Sequence, residues 1–181
     1  MTTTTPETLE LTAGTYTIDP THSEVSFTVR HLGLSKVRGR FNSFDGTITI
    51  GADRLASSVT AEIDLSSIDT NNAQRDGHLQ SSDFFDLATN PTMTFTSTAV
   101  TETTLSGTLT IKGITQAVEL SLEFHGVAAD PYGVTRAGFS ATGQISRGEF
   151  DISFNAPVGL DGLLISDKVT IELEIQAVPA E

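Results

Sequence analysis

At 181 residues the chain is long enough for one domain with a sizeable core and short for two. It contains no cysteine, which excludes disulfides and thiolate chemistry, and its formal net charge of -13 repels phosphate backbones and anionic headgroups. Nucleic acid is therefore not an expected partner. Nor is stable membrane insertion, because no run approaches the ~18 consecutive apolar residues of a span.

Residues 1–14 are polar and aperiodic, and are expected to form a flexible amino-terminal segment whose residues 10–14 dock onto a domain spanning 15–178. Met1 to Pro6 is a threonine run with neither a basic nor an apolar stretch, so no leader is read and a cytoplasmic location is expected. Period-2 alternation then takes over. Val25, Phe27 and Val29 share one face, as do Ile48 and Ile50, and then Val59, Ala61, Ile63 and Leu65. After an interruption the pattern returns at Met93, Phe95 and Ser97, and again at Leu105, Leu109 and Ile111. It continues through Val118, Leu120, Leu122 and Phe124, through Ala137, Phe139, Ala141 and Ile145, and through Val169, Ile171, Leu173 and Ile175. Alternation of this kind predicts half-buried antiparallel strands. Turn residues separate them at Phe44-Asp45-Gly46, Lys112-Gly113, Asp130-Pro131-Tyr132-Gly133 and Leu160-Asp161-Gly162. The predicted fold is all-β, an eight-stranded antiparallel barrel whose closure removes exposed edges.

Between Asp69 and Asp86 the alternation stops. A short helix through Ala73, Arg75, His78 and Leu79, capped by Asp69 or Thr70, is predicted in this one long connection. It ends on Phe84-Phe85. Two roles stand for it, a lid over one end of the barrel or a floor for the core.

Catalytic templates mostly fail. His22, His31, His78 and His125 are isolated from one another, so a metal site could form only in space, from His22, His31 and an acid. Residues 138–143 resemble a nucleophile elbow but have the wrong spacing and lie in an alternating segment. No phosphate-binding glycine loop occurs, and no cofactor is expected. What remains is an apolar interior with ten phenylalanines. Small inward residues such as Ser97, Gly107, Ala137, Ala141 and Gly143 either open a channel among the large ones or merely fit the taper of the barrel.

Several ordered segments resemble the YceI-like proteins. They are Tyr16-Thr17-Ile18-Asp19-Pro20-Thr21-His22-Ser23 and Val37-Arg38-Gly39-Arg40-Phe41, then Ser67-Ile68-Asp69-Thr70 and Arg75-Asp76-Gly77-His78-Leu79. Asp83-Phe84-Phe85-Asp86, Pro91-Thr92-Met93-Thr94-Phe95 and residues 105–113 follow in order. The chain departs from the family pattern at Tyr16, where tryptophan is common, and at Asp151, where glycine is usual.

The resemblance implies an extended lipocalin-like barrel that carries or stores a polyisoprenoid, such as a prenylated quinone, or another long-chain lipid, with no catalytic step. A homodimer is a further expectation that it carries. The alternative is a stress-response or protein-interaction module that uses the barrel as scaffold. The implied ligand-binding residues are Phe27, Val29, His31, Ile48, Ile63, Phe95, Leu109, Leu122, Phe124, Phe139, Ile171 and Leu173. Arg75, His78, Leu79, Phe84 and Phe85 join them from the connection. For Arg75 and His78 two readings stand: they orient a polar head at the mouth, or Arg75 pins the helix together with Asp76. Arg38, Arg40 and Arg147 read as solvated strand ends.

Overall fold

The computed structural model describes residues 9–155, 157–158 and 162–180. Residues 1–8 of the amino-terminal segment, and Leu160 and Asp161 of the last predicted turn, lie outside the described residues. The chain runs β1 (Gly14–Ile18), β2 (Glu24–His31), β3 (Ser35–Phe41), β4 (Phe44–Ile50), β5 (Ser58–Asp64), β6 (Ile68–Asp69) and α1 (Ala73–Gln80). It continues through β7 (Thr92–Val100), β8 (Thr104–Ile111), β9 (Ile114–Ala129), β10 (Thr135–Ser146), β11 (Pro157–Val158), β12 (Gly162–Leu163) and β13 (Lys168–Pro179).

These segments form a closed antiparallel barrel of eight strands. β1 and β2 are two halves of the first strand, and both pair with the last strand: Ile18 lies opposite Ala177, and Phe27 opposite Ile171. β3 and β4 are likewise two halves of the second strand, pairing with β2 and β1 respectively. From there β5, β7, β8, β9, β10 and β13 follow as neighbours in chain order. Closure gives the barrel strands partners on both sides, except along the start of β3, whose outer side pairs only at Arg40 and Phe41, with β6.

The sequence pattern missed β1 and β3. In β3 the inward row is Val37, Gly39, Phe41, interrupted by glycine and flanked by cations, so its apolar alternation is faint. Phe44-Asp45-Gly46 was predicted as a turn. It lies inside β4, and the second strand breaks two residues earlier, at Asn42 and Ser43. Lys112 and Gly113 do form a tight turn, with φ of 54° and 75°, the left-handed pair that a two-residue hairpin requires.

Several inward glycines make room for a neighbour's side chain. A Cβ on Gly39 would stand 2.3 Å from Phe27 Cζ, and one on Gly107 would stand 2.5 Å from both Phe95 Cζ and the Thr96 carbonyl oxygen. These rings fill the space the glycines leave, so at these positions small residues fit the packing and do not widen the interior. Gly107→Ala is accordingly expected to destabilise the protein by about 1–3 kcal/mol, because the clash includes backbone that cannot rotate away. Urea unfolding of the variant measures this, and an unchanged midpoint would refute the packing argument.

Three apolar clusters line the barrel from end to end. Tyr16, Ile48, Ile50 and Ala177 seal one end, with Leu11 of the amino-terminal segment packed against them. Leu105, Leu120 and Ala141 form the middle. Phe41, Ile63, Leu65, Ile68, Phe84, Phe150 and their neighbours form the largest group at the other end, into which the connection carrying α1 packs. Among the described residues no helix is long and apolar enough to cross a membrane.

Candidate functional site

The interior is not completely filled. A cavity of about 580 Å³ runs through the barrel, within the size range of lipid and cofactor sites. Its lining is continuous with the strand alternation. Ile48, Val59, Phe139 and Ile175 line it toward the sealed end, and Phe95, Leu109, Leu122, Ile171 and Leu173 line the middle. Toward α1 the wall is Phe27, Val29, Ile63, Leu79, Phe84 and Phe85, joined by His31, Arg75 and His78. Of the implied ligand-binding residues, all but one are therefore on the cavity wall.

The exception is Phe124. It is absent from the lining, and its ring packs on Phe139 at 5.2 Å with the Arg54 guanidinium 5.6 Å from its centroid. Its face is the one the alternation assigns, since Phe124 lies opposite Phe139 and Leu122 opposite Ala141. The register slips only beyond it, where Gly138 pairs with Gly126 and His125 is the extra residue of a β-bulge.

The α1 end carries the polar groups. Asn72 caps the helix, its side chain accepting from the Arg75 amide at 2.9 Å, where Asp69 or Thr70 had been expected. Asp69 instead accepts from the Asn71 amide at 2.9 Å, and Thr70 is buried in a knot with the helix. The Thr70 amide and hydroxyl both donate to Asp76. Arg75 donates from Nε to the Thr70 hydroxyl at 2.7 Å and from Nη2 to the Thr70 carbonyl at 2.6 Å. Arg75 thus pins the helix while also lying on the cavity wall. His78 lies 2.8 Å from Asp83 through Nε2, with its ring edge-on to Phe84 at 5.1 Å and to Phe154 at 4.9 Å. The two phenylalanines divide their work: Phe84 is buried in the core, and Phe85 sets its edge against Phe41 at 6.3 Å.

Arg147 departs most from its sequence reading. It is no solvated strand end but is 6% exposed and on the cavity wall. Nε donates to the Ser166 carbonyl, Nη1 to the Ile152 and Phe154 carbonyls, and Nη2 to the Ile165 carbonyl. Burial pushes its pKa down, against the Coulombic pull of Asp167. The sequence also gave no reason to place Phe154, Leu164 and Ile165 on the wall, since this segment shows no periodicity.

His22 is far from this end. Its Nδ1 lies 2.8 Å from Asp19, which also accepts from Thr21 and, at 2.6 Å, from Arg136. Arg136 in turn reaches Asp130 at 3.0 Å, so the cluster ties the break between β1 and β2 to the β9–β10 hairpin. His31 stands at the far end of β2, seven steps or about 23 Å of extended chain beyond Glu24. A shared metal between the two histidines is ruled out by that distance.

The Thr21 hydroxyl above all, then His22 and Arg136, hold the Asp19 carboxyl far below the usual carboxylate range, outweighing its partial burial. Its folded pKa is depressed, so its stabilisation is fully present above the unfolded value near ~4 and is lost as pH falls through the folded value. Asp19→Asn is expected to cost about 2 kcal/mol at neutral pH and to flatten the acid limb of the stability profile. Urea midpoints at neutral and acid pH decide this, and equal losses at both would contradict it.

An antiparallel barrel with an apolar bore and a helix packed at one end is a lipocalin-like fold. The YceI-like domain family matches residues 16–177, and the chain belongs to that family. It is 42% identical over 147 residues to protein YceI of Escherichia coli O157:H7, covering 77% of each chain. A YceI protein of Campylobacter jejuni has the same fold, with a TM-score of 0.71 at 31% identity, covering 84% of this chain and 90% of that one. A polyisoprenoid binding domain from Saccharophagus degradans also shares the fold, with a TM-score of 0.71 at 16% identity, covering 93% of this chain and all of that one.

Proposed function

We propose that this protein binds and carries or stores a long-chain apolar or amphiphilic molecule, with a polyisoprenoid such as a prenylated quinone as the preferred guest and no catalytic step. The observation that carries the reading is the bore itself. It is walled by aliphatic and aromatic side chains along its length and meets Arg75, His78 and His31 only at the α1 end. A chain-like guest needs no pattern of hydrogen bonds along such a wall, and each buried methylene contributes about 0.8 kcal/mol before ordering costs. The polar end suits a head group, with the Arg75 Nη1 group, which bonds to none of the described residues, as the nearest donor. The polyisoprenoid binding named for the Saccharophagus degradans domain supports the choice of guest class.

Competition of prenylated quinones against a fluorescent prenyl probe tests this. Affinity is expected to rise with each added isoprene unit until the bore is full, and fatty amides of equal length are expected to bind more weakly. Failure of every tail length to displace the probe would remove the proposal.

A further inference from the structure

β2 and β3 meet at Leu32-Gly33-Leu34, a tight turn closed by the Leu34 amide donating to the His31 carbonyl at 2.9 Å. Leu32 takes φ +56°, a left-handed conformation rare for a bulky residue. Leu34 is 80% exposed and Leu32 38%. One exposed leucine is ordinary. Two on one turn, directly beyond the wall residues Val29 and His31, put an apolar tip beside the α1 end of the bore.

The charge around that tip runs against the rest of the molecule. The chain has 10 lysines and arginines against 23 acids. Arg30, Lys36 and Arg38 all stand exposed on this hairpin, and exposed Lys168 opens the adjoining strand β13. Arg30 and Lys36 face each other directly across the two strands, an arrangement that weakens a sheet. None of the four forms an ion pair among the described residues. Asp167, beside Lys168, is occupied by the Ser146 hydroxyl and the Gly148 amide.

We propose that this hairpin tip docks the protein onto an anionic lipid bilayer, with Leu32 and Leu34 entering the headgroup boundary and the flanking cations contacting lipid phosphates. The net charge of -13 does not prevent this, because in ~0.1 M salt the acidic remainder is screened beyond about 10 Å. Its residual repulsion leaves the hairpin as the face that approaches. Docking places the α1 end of the bore against the bilayer, which is where a lipid guest would enter. That purpose rests on the carrier reading, whereas the docking itself needs no guest.

The chain has no tryptophan, so Leu34→Trp puts a single fluorophore at the tip. Its emission is expected to shift to the blue with vesicles of phosphatidylcholine and phosphatidylglycerol, to stay unmoved with phosphatidylcholine alone, and to revert in high salt. In vesicle flotation Leu34→Asp is expected to bind about ten-fold more weakly than wild type. Lys36→Gln with Arg38→Gln is expected to bind about 25-fold more weakly. These variants should take up the prenyl probe in vesicle-free buffer as wild type does. The two readings fail separately. Unmoved Leu34→Trp emission, or unchanged flotation of the variants, overturns docking even when the probe binds. A probe that does not bind overturns the carrier reading even when the emission shifts.

Discussion

Phe139→Asp is expected to weaken binding of a prenyl guest by about 100-fold or more while leaving the barrel folded. Phe139 is on the cavity wall, beside Ile175 across the β10–β13 ladder, and packs with the Tyr16 and Ile48 cluster. An aspartate there faces an empty bore in the free protein, where water can hydrate it. A guest expels that water, and the neighbouring wall residues Ile48, Val59 and Ile175 are aliphatic, so the carboxylate is desolvated chiefly in the complex. The desolvation penalty therefore falls on binding, while folding loses the packing of the ring. Probe titration and circular dichroism on the same sample separate the two effects, with Phe139→Leu as the apolar control. Undiminished binding by the aspartate variant would show that the guest does not occupy this part of the bore.

Arg147→Met has the opposite signature, a loss of stability. The guanidinium satisfies the carbonyls of Ile152, Phe154, Ile165 and Ser166 from a buried position. Methionine matches the length of the side chain but donates nothing. The Ile165 carbonyl keeps a bond from the Asn155 side chain at 2.7 Å, and the other three lose the donor they have here. The expected loss is about 3–5 kcal/mol, or a Tm lower by roughly 10 °C. Arg147→Lys should recover little, because an ammonium group cannot reproduce the planar fork. A thermal melt shifted by less than a degree would mean that the carbonyls find other partners and that Arg147 holds nothing.

Arg147 also marks the limit of what could be read from the chain alone. Beside Gly148 and Glu149 it looks like a surface cation, and no local pattern announces four carbonyls converging from residues 152–166. The strands were different. In β13 the row Val169, Ile171, Leu173, Ile175 lies opposite Ile145, Gly143, Ala141 and Phe139, so period-2 alternation on each strand specified the wall without knowledge of the partner. Phe124 has the inward register that alternation gives it, opposite Phe139, but alternation does not show that its ring packs on Phe139 with the Arg54 guanidinium beside it. The helix was legible from the loss of alternation, but its cap was not. Asp69, Thr70 and Asn72 are all good caps, and the choice fell to Asn72 because Thr70 is held by Asp76. Glycine showed a similar ambiguity. Gly107 could have widened the bore, and only the position of Phe95 shows it filled.

The central claim is that the bore holds a lipid, and native mass spectrometry of freshly purified protein addresses it most directly, with solvent extraction and identification of whatever is released. The account predicts a discrete adduct that resolves into a prenylated or other long-chain species and disappears in Phe139→Asp. A clean mass for the unliganded chain, unchanged after incubation with prenylated quinones and fatty amides, would contradict it.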